Sequence, residues 1–181
     1  MPTLETMRKA LLDQDLESIQ DGIYGESVAA VHFEEIDQPF IHVQQEKWSK
    51  PQKLIKAGGK RPDFYLLPLD ENFVMVDVKY HSLGEELHFF LSTDEIEKYK
   101  NLIEYTVTTH RIQREKIQLK LFIIPKEHKG LSYYTLDFHE FISDRYLHTF
   151  NIASGEKEYV TRYAELKGKL LRIMTKSSPY E

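Results

Sequence analysis

Residues 60–80 read KRPDFYLLPLDENFVMVDVKY, and their pattern decides how the rest of the chain is arranged. Two strand-like runs, 63–69 and 73–80, flank Asp70-Glu71-Asn72, a composition that closes a β-hairpin. The second run is apolar except for Asp77 and Lys79. An unpaired ion in a strand core costs several kcal/mol, so either that face is solvated or the charges are held there for chemistry. Alternation across a strand puts Asp77 and Lys79 on one face, one pleat apart. A tight turn pairs Asp70 with Phe73 and sets Leu66 against Asp77, Phe64 against Lys79 and Asp63 against Tyr80. A residue or two of slack moves Asp63 toward Lys79 or Val78. In each of these registers Asp63 enters beside the strand end that carries Asp77 and Lys79.

Two carboxylates about 4 Å apart repel by about 4 kcal/mol at an effective dielectric of about 20. A divalent cation offsets that directly, and hard oxygen ligands suit Mg²⁺ or Mn²⁺. Lys79 offsets part of it, and its expected task is to orient or deprotonate a water and to stabilise charge on a phosphate. Upstream, in YGESVAAVHFEE, Glu26 shares a helical face with Ala29, Ala30 and Phe33, which places it inward at the first turn of a helix. The competing reading is a glutamate favoured there by the helix dipole.

The rest of the chain sets the context. Its 181 residues are 41% hydrophobic and 29% charged, which suits one domain with a real core. No apolar run approaches the roughly 20 residues that span a bilayer, and the N-terminus lacks the pattern of a signal peptide. Cysteine is absent, which excludes disulfides, thiolate nucleophiles and cysteine-based zinc sites and fits a cytoplasmic protein. The eight histidines show no His-x-x-x-His spacing. Net charge is −5, yet residues 47–61, KWSKPQKLIKAGGKR, hold six basic residues and no acidic one. Such a stretch suits a phosphate backbone, with Lys53, Lys56, Lys60 and Arg61 as its nucleic-acid-binding candidates.

Helical spacing over 4–19, a break at DGIYG and a second helix from Glu26 to Glu35 precede a short strand at Phe40. After the hairpin, STDEIEKYKNLIEYTVTTH predicts a capped helix, QLKLFIIP a buried strand, GLSYYTLDF a strand and FHEFISDRYLH a short helix. The amphipathic tail from about Ser154 to Lys176 predicts a final helix. The order helix–strand–strand–strand–helix–strand belongs to a mixed α/β domain.

Pro62-Asp63, thirteen residues, then Asp77-Val78-Lys79 resembles the PD-(D/E)XK signature of the restriction-endonuclease-like nucleases. The resemblance covers some 100 residues and implies an αβββαβ core with a mixed central sheet flanked by helices. The expected layout is a single nuclease-like domain over 1–181, its core at about 24–150, with added helices at 3–20 and 155–176. It implies that Asp63 and Asp77 hold Mg²⁺ (Mn²⁺ substituting), helped by the carbonyl of Val78, that Lys79 positions the attacking water, and that Glu26 matches the first-helix glutamate of many members. The implied partner is nucleic acid, double-stranded DNA foremost, and the first and last helices are candidates for a homodimer interface. Several branches carry Gln-x-x-x-Tyr on the following helix. Here the nearest equivalent is Glu95 and Tyr99, and the change from Gln leaves Glu95 as a surface helix residue. The alternative is a non-cutting nucleic-acid-binding or assembly module on the same fold.

Overall fold

A computed structural model describes residues 16–45, 49–68, 72–82, 88–128, 132–143, 158–162 and 170–172. Helix α1 spans Leu16–Glu35 and strand β1 Phe40–His42. A short helix α2 (Gln52–Lys56), strands β2 (Phe64–Leu66), β3 (Phe73–His81) and β4 (His88–Ser92), and helix α3 (Thr93–His110) follow. Strand β5 (Ile117–Pro125), strand β6 (Ser132–Asp137), helix α4 (Phe138–Phe141), strand β7 (Glu158–Arg162) and strand β8 (Leu170–Arg172) complete the order. The main sheet runs β1-β2-β3-β5-β6-β8, while β4 and β7 form a separate pair. Among the described strands only β3 and β5 are parallel, so the sheet is mixed. Their connection is the crossover through α3, as parallel neighbours require.

Strand alternation sorts the core into two layers. Val76 of β3 and Phe122 and Ile124 of β5 face α1, where they pack with Ala29, Phe33 and Tyr133. Met75, Leu119, Leu121 and Ile123 face the other way, against Ile96, Tyr99, Leu102 and Ile103 of α3. Asp77 and Lys79 share the parity of Met75, so β3 delivers both charges to the α3 side.

The hairpin closes in a different register from the expected one. Phe64 pairs with Val76, Tyr65 with Met75 and Leu66 with Val74. Leu67 leaves the β3 ladder and donates its N–H to Pro39 O at 2.8 Å, so the turn is wider than Asp70-Glu71-Asn72. The shift is three residues, an odd number, and it exchanges the faces. Phe64 thereby joins the buried layer under α1. Asp63, whose N–H donates to Val76 O at 2.8 Å, comes level with Asp77 instead of Tyr80.

Three other expectations are corrected. DGIYG is no break: α1 runs continuously through Gly22 and Gly25. A Cβ on Gly25 would lie 2.9 Å from Tyr80 Cβ and 3.3 Å from Val78 Cγ1, so that glycine lets the helix sit close on β3. Glu26 therefore stands in the middle of a 20-residue helix, not at its first turn, and the dipole reading falls. The described residues of the expected C-terminal helix form strands, Glu158–Arg162 against β4 and Leu170–Arg172 against β6. Ladder pairing and the β-branched Val160-Thr161 outweigh the helical spacing there. The helix expected over 3–20 lies outside the described residues up to residue 15, and its remainder belongs to α1.

Candidate active site

The site grows from the centre of β3. Asp77 is 1% exposed, and its two oxygens are held by different groups. Oδ2 accepts from the Tyr99 hydroxyl at 2.5 Å and lies 3.2 Å from Lys79 Nζ. Oδ1 pairs with Lys60 Nζ at 2.6 Å. Burial pushes Asp77 up, but the Lys60 and Lys79 ammoniums and the bonds from Lys60 and Tyr99 outweigh it and hold the carboxyl below its usual range.

Lys79 also donates to Glu95 Oε1. Ser92 accepts the Glu95 N–H at 3.2 Å as N-cap of α3, which fixes where that helix begins and hence which side chains meet β3. Burial would lower the Lys79 pKa, but the charges of Asp77 and Glu95 raise it above its ordinary value. Lys79 is a firm ammonium. Its surroundings favour the expected roles of orienting a water and supplying fixed positive charge over that of deprotonating one.

Asp63 arrives from β2's entry, level with Asp77. Its Oδ2 accepts the Val78 N–H at 2.6 Å, so the Val78 backbone faces the carboxyl pair. Burial first and the Asp77 charge second push the Asp63 carboxyl up to about 8, offset only partly by the Val78 bond and Lys60. Glu26 adds to that rise, yet its own contact is with His42 Nε2 at 2.5 Å. The structure thus brings Asp63, Asp77 and Lys79 together and leaves Glu26 at the margin, on the imidazole of β1.

Lys60, a candidate for the nucleic-acid surface by sequence, is turned inward. Its ammonium sits 2.6 Å from Asp77, 3.2 Å from the Tyr99 hydroxyl and 3.6 Å from Glu95 Oε1. The turn at Gly58-Gly59 puts it there. Gly58 has φ +69°, and a Cβ on Gly59 would meet Leu54 Cδ1 at 2.4 Å and Leu102 N at 3.2 Å, so the loop lies flush on α3. Glu95, expected on the surface, is likewise part of the cluster. Arg61 bonds Ser49 Oγ and, with Gln45, Lys50, Ile55, Lys60 and Asp63, lines a cleft of about 420 Å³. Lys53 and Lys56 project from exposed positions on α2; Lys53 lines a different cleft, with Tyr105 and Arg111. Lys47 and Trp48 lie outside the described residues.

Do these groups suit a hard divalent ion? Asp63 and Asp77 do: they are neighbouring carboxyls in a largely dry setting, and their repulsion shows in the raised Asp63 pKa. Among the described residues no three His, Asp or Glu side chains converge on one point, and Asp63 and Asp77 are the side chains best placed to act as donors. No protein-family model matches the sequence and no curated protein resembles it significantly. The case for function rests on this geometry.

Proposed function

We propose that the chain is a metal-dependent phosphodiesterase that hydrolyses nucleic acid, DNA foremost, in the manner of the PD-(D/E)XK nucleases. One observation carries the reading: neighbouring strands deliver Asp63 and Asp77 to one face of the sheet, side by side, with the Lys79 ammonium 3.2 Å from Asp77. Bound by the two aspartates, Mg²⁺ or Mn²⁺ would cancel their repulsion and supply a Lewis acid and an acidified water. To serve as a ligand, Asp63 would release its proton to solvent. Tyr99 holds Asp77 in one orientation through its hydroxyl. Lys79, pinned by Asp77 and Glu95, provides preorganised positive charge for a phosphate passing through its transition state. Lys50 and Arg61 in the adjoining cleft supply counter-charge for the backbone.

The test is Mg²⁺-dependent cleavage of supercoiled plasmid and of a labelled oligonucleotide, with Asp77→Asn as control. Cleavage by the wild type that the variant loses is the expected result. Cleavage that survives in Asp77→Asn removes the mechanism.

A second reading has its own observation. Lys60 Nζ already neutralises Asp77 at 2.6 Å, as a permanent counter-ion would in a non-cutting nucleic-acid-binding or assembly module. A wild-type protein that neither cleaves with Mg²⁺ or Mn²⁺ nor binds Mn²⁺ in a titration would support that reading over the nuclease.

A further inference from the structure

A second cleft, of about 380 Å³, lies next to the one that opens on Asp63, and Arg61 lines both. The two differ in character. The first carries Lys50, Lys60 and Arg61. Burial and then the charges of Arg61, Lys98 and Lys60 hold the Lys50 amine below its usual range, a crowding that a bound anion would relieve. The second cleft includes Tyr65, Tyr105 and His110 in its lining. These rings form a braced wall. Tyr65 lies 5.2 Å from Phe73, Phe73 stacks on His110 at 5.7 Å and 26°, and His110 meets Tyr105 edge-on at 6.4 Å. Tyr65 and Tyr105 are half-buried against the core, so each keeps part of its ring available at little entropic cost.

We propose that the paired clefts are one subsite for an unpaired nucleotide, with its phosphate between Lys50 and Arg61 and its base against Tyr65 and Tyr105. The inference deepens the nuclease reading and rests on it for calling that nucleotide part of a substrate. A phosphate joined to an aromatic base matches a cationic hollow joined to an aromatic one, with Arg61 at the junction. A base in continuous duplex is paired and stacked and cannot enter such a hollow without being unstacked, whereas a single strand offers it freely. The substrate class is therefore single-stranded or frayed nucleic acid, not intact duplex.

The experiment is fluorescence anisotropy of the full chain in EDTA, where nothing is cut. Its probes are a short single-stranded DNA and a blunt hairpin duplex of equal charge. A parallel titration uses a strand with one 2-aminopurine flanked by thymines. The single strand is expected to bind at least tenfold tighter than the duplex, and the 2-aminopurine emission to be quenched on binding. Tyr105→Ala and Lys50→Ala should each weaken single-strand binding about tenfold, and Tyr105→Phe should stay within twofold of the wild type. Equal or tighter binding of the duplex, or unquenched 2-aminopurine, overturns the proposal; the quenching needs no variant and so holds even if Tyr105→Ala fails to fold. Missing cleavage with Mg²⁺ in the same preparation counts against the nuclease reading only, because binding in EDTA reports the subsite independently.

Discussion

At the scale of single residues, Asp63 is a carboxylic acid that burial and a neighbouring aspartate hold protonated up to about pH 8. Its folded pKa lies above the unfolded value, so between about pH 4 and 8 the native state binds the extra proton. Stability from this group is complete at the acid end and falls as pH rises through that window. Asp63→Asn keeps the shape and removes the ionisation. Without metal it should melt above the wild type at pH 8.5, by about 5 kcal/mol or about 10–20 °C, and match it near pH 4.5; melts across pH in EDTA decide this. Mn²⁺ must expel the same proton, so its affinity should climb about tenfold per pH unit from 6 to 8, measured by titration at fixed ionic strength. Lys79 obeys a different rule. Because it is a fixed ammonium, Lys79→Gln should cut cleavage by about 10²–10³ while leaving the shape of the pH–rate profile intact. A profile that loses its alkaline rise in that variant would make Lys79 the base after all. Asp63, Asp77 and Lys79 are legible in the sequence because Pro62-Asp63 and a charged pair inside an apolar strand are visible in one dimension. Lys60 and Glu95 are not. Lys60 belongs by sequence to a basic run, and only the Gly58-Gly59 turn against α3 redirects it; the role of Glu95 depends on where Ser92 starts the helix.

At the scale of elements, two glycines in α1 give opposite predictions. A Cβ on Gly22 would meet nothing within 4 Å, whereas one on Gly25 would face Tyr80 and Val78 at 2.9 and 3.3 Å. Gly22→Ala should stabilise by up to about 1 kcal/mol, the ordinary helix-propensity gain. Gly25→Ala gains the same propensity but drives a methyl into β3, which costs about 1–3 kcal/mol, so its urea midpoint should fall below the wild type. If both substitutions stabilise, the helix is not seated on Tyr80. In the sequence these two glycines read as a break because propensity weighs each alone, and close packing is a property of the partner strand. The hairpin shows the same limit. Strand identity and the gathering of charges can be read from alternation. The register cannot, because the widening of the turn depends on Leu67 finding Pro39 O, a contact with a distant segment. The mixed α/β character and the main helices and strands are readable from period and caps, while α2, β4 and the strands at 158–162 and 170–172 take their form from what they pack or pair against.

At the scale of the whole molecule, the sheet carries pH-sensitive groups of opposite sign on its two faces. On the α1 side His32 is 8% exposed, bonded through Nε2 to the Tyr133 hydroxyl of β6 and packed on Phe122. Burial lowers its pKa, with Glu35 opposing only in part. A histidine held neutral binds fewer protons folded than unfolded, so stability is lost as pH falls below about 6.5. On the α3 side Asp63 removes stability as pH rises toward 8. Between about pH 4 and 6.5 the two contributions oppose each other, so without metal stability should stay roughly level there and fall as pH rises from about 6.5 to 8, and each contribution has its own handle. His32→Gln should leave the Asp63 slope uncompensated, so that stability keeps climbing toward about pH 4.5, without touching the fall above about pH 6.5. Saturating Mn²⁺ should remove the alkaline fall, since a dication stabilises the ionised Asp63 that burial otherwise penalises, while His32 lies across the sheet from it. The decisive measurement is a set of thermal melts from pH 4.5 to 9 with and without Mn²⁺. If Mn²⁺ raises stability alike at pH 5 and pH 9, it binds elsewhere, and the Asp63–Asp77 pair is not its site.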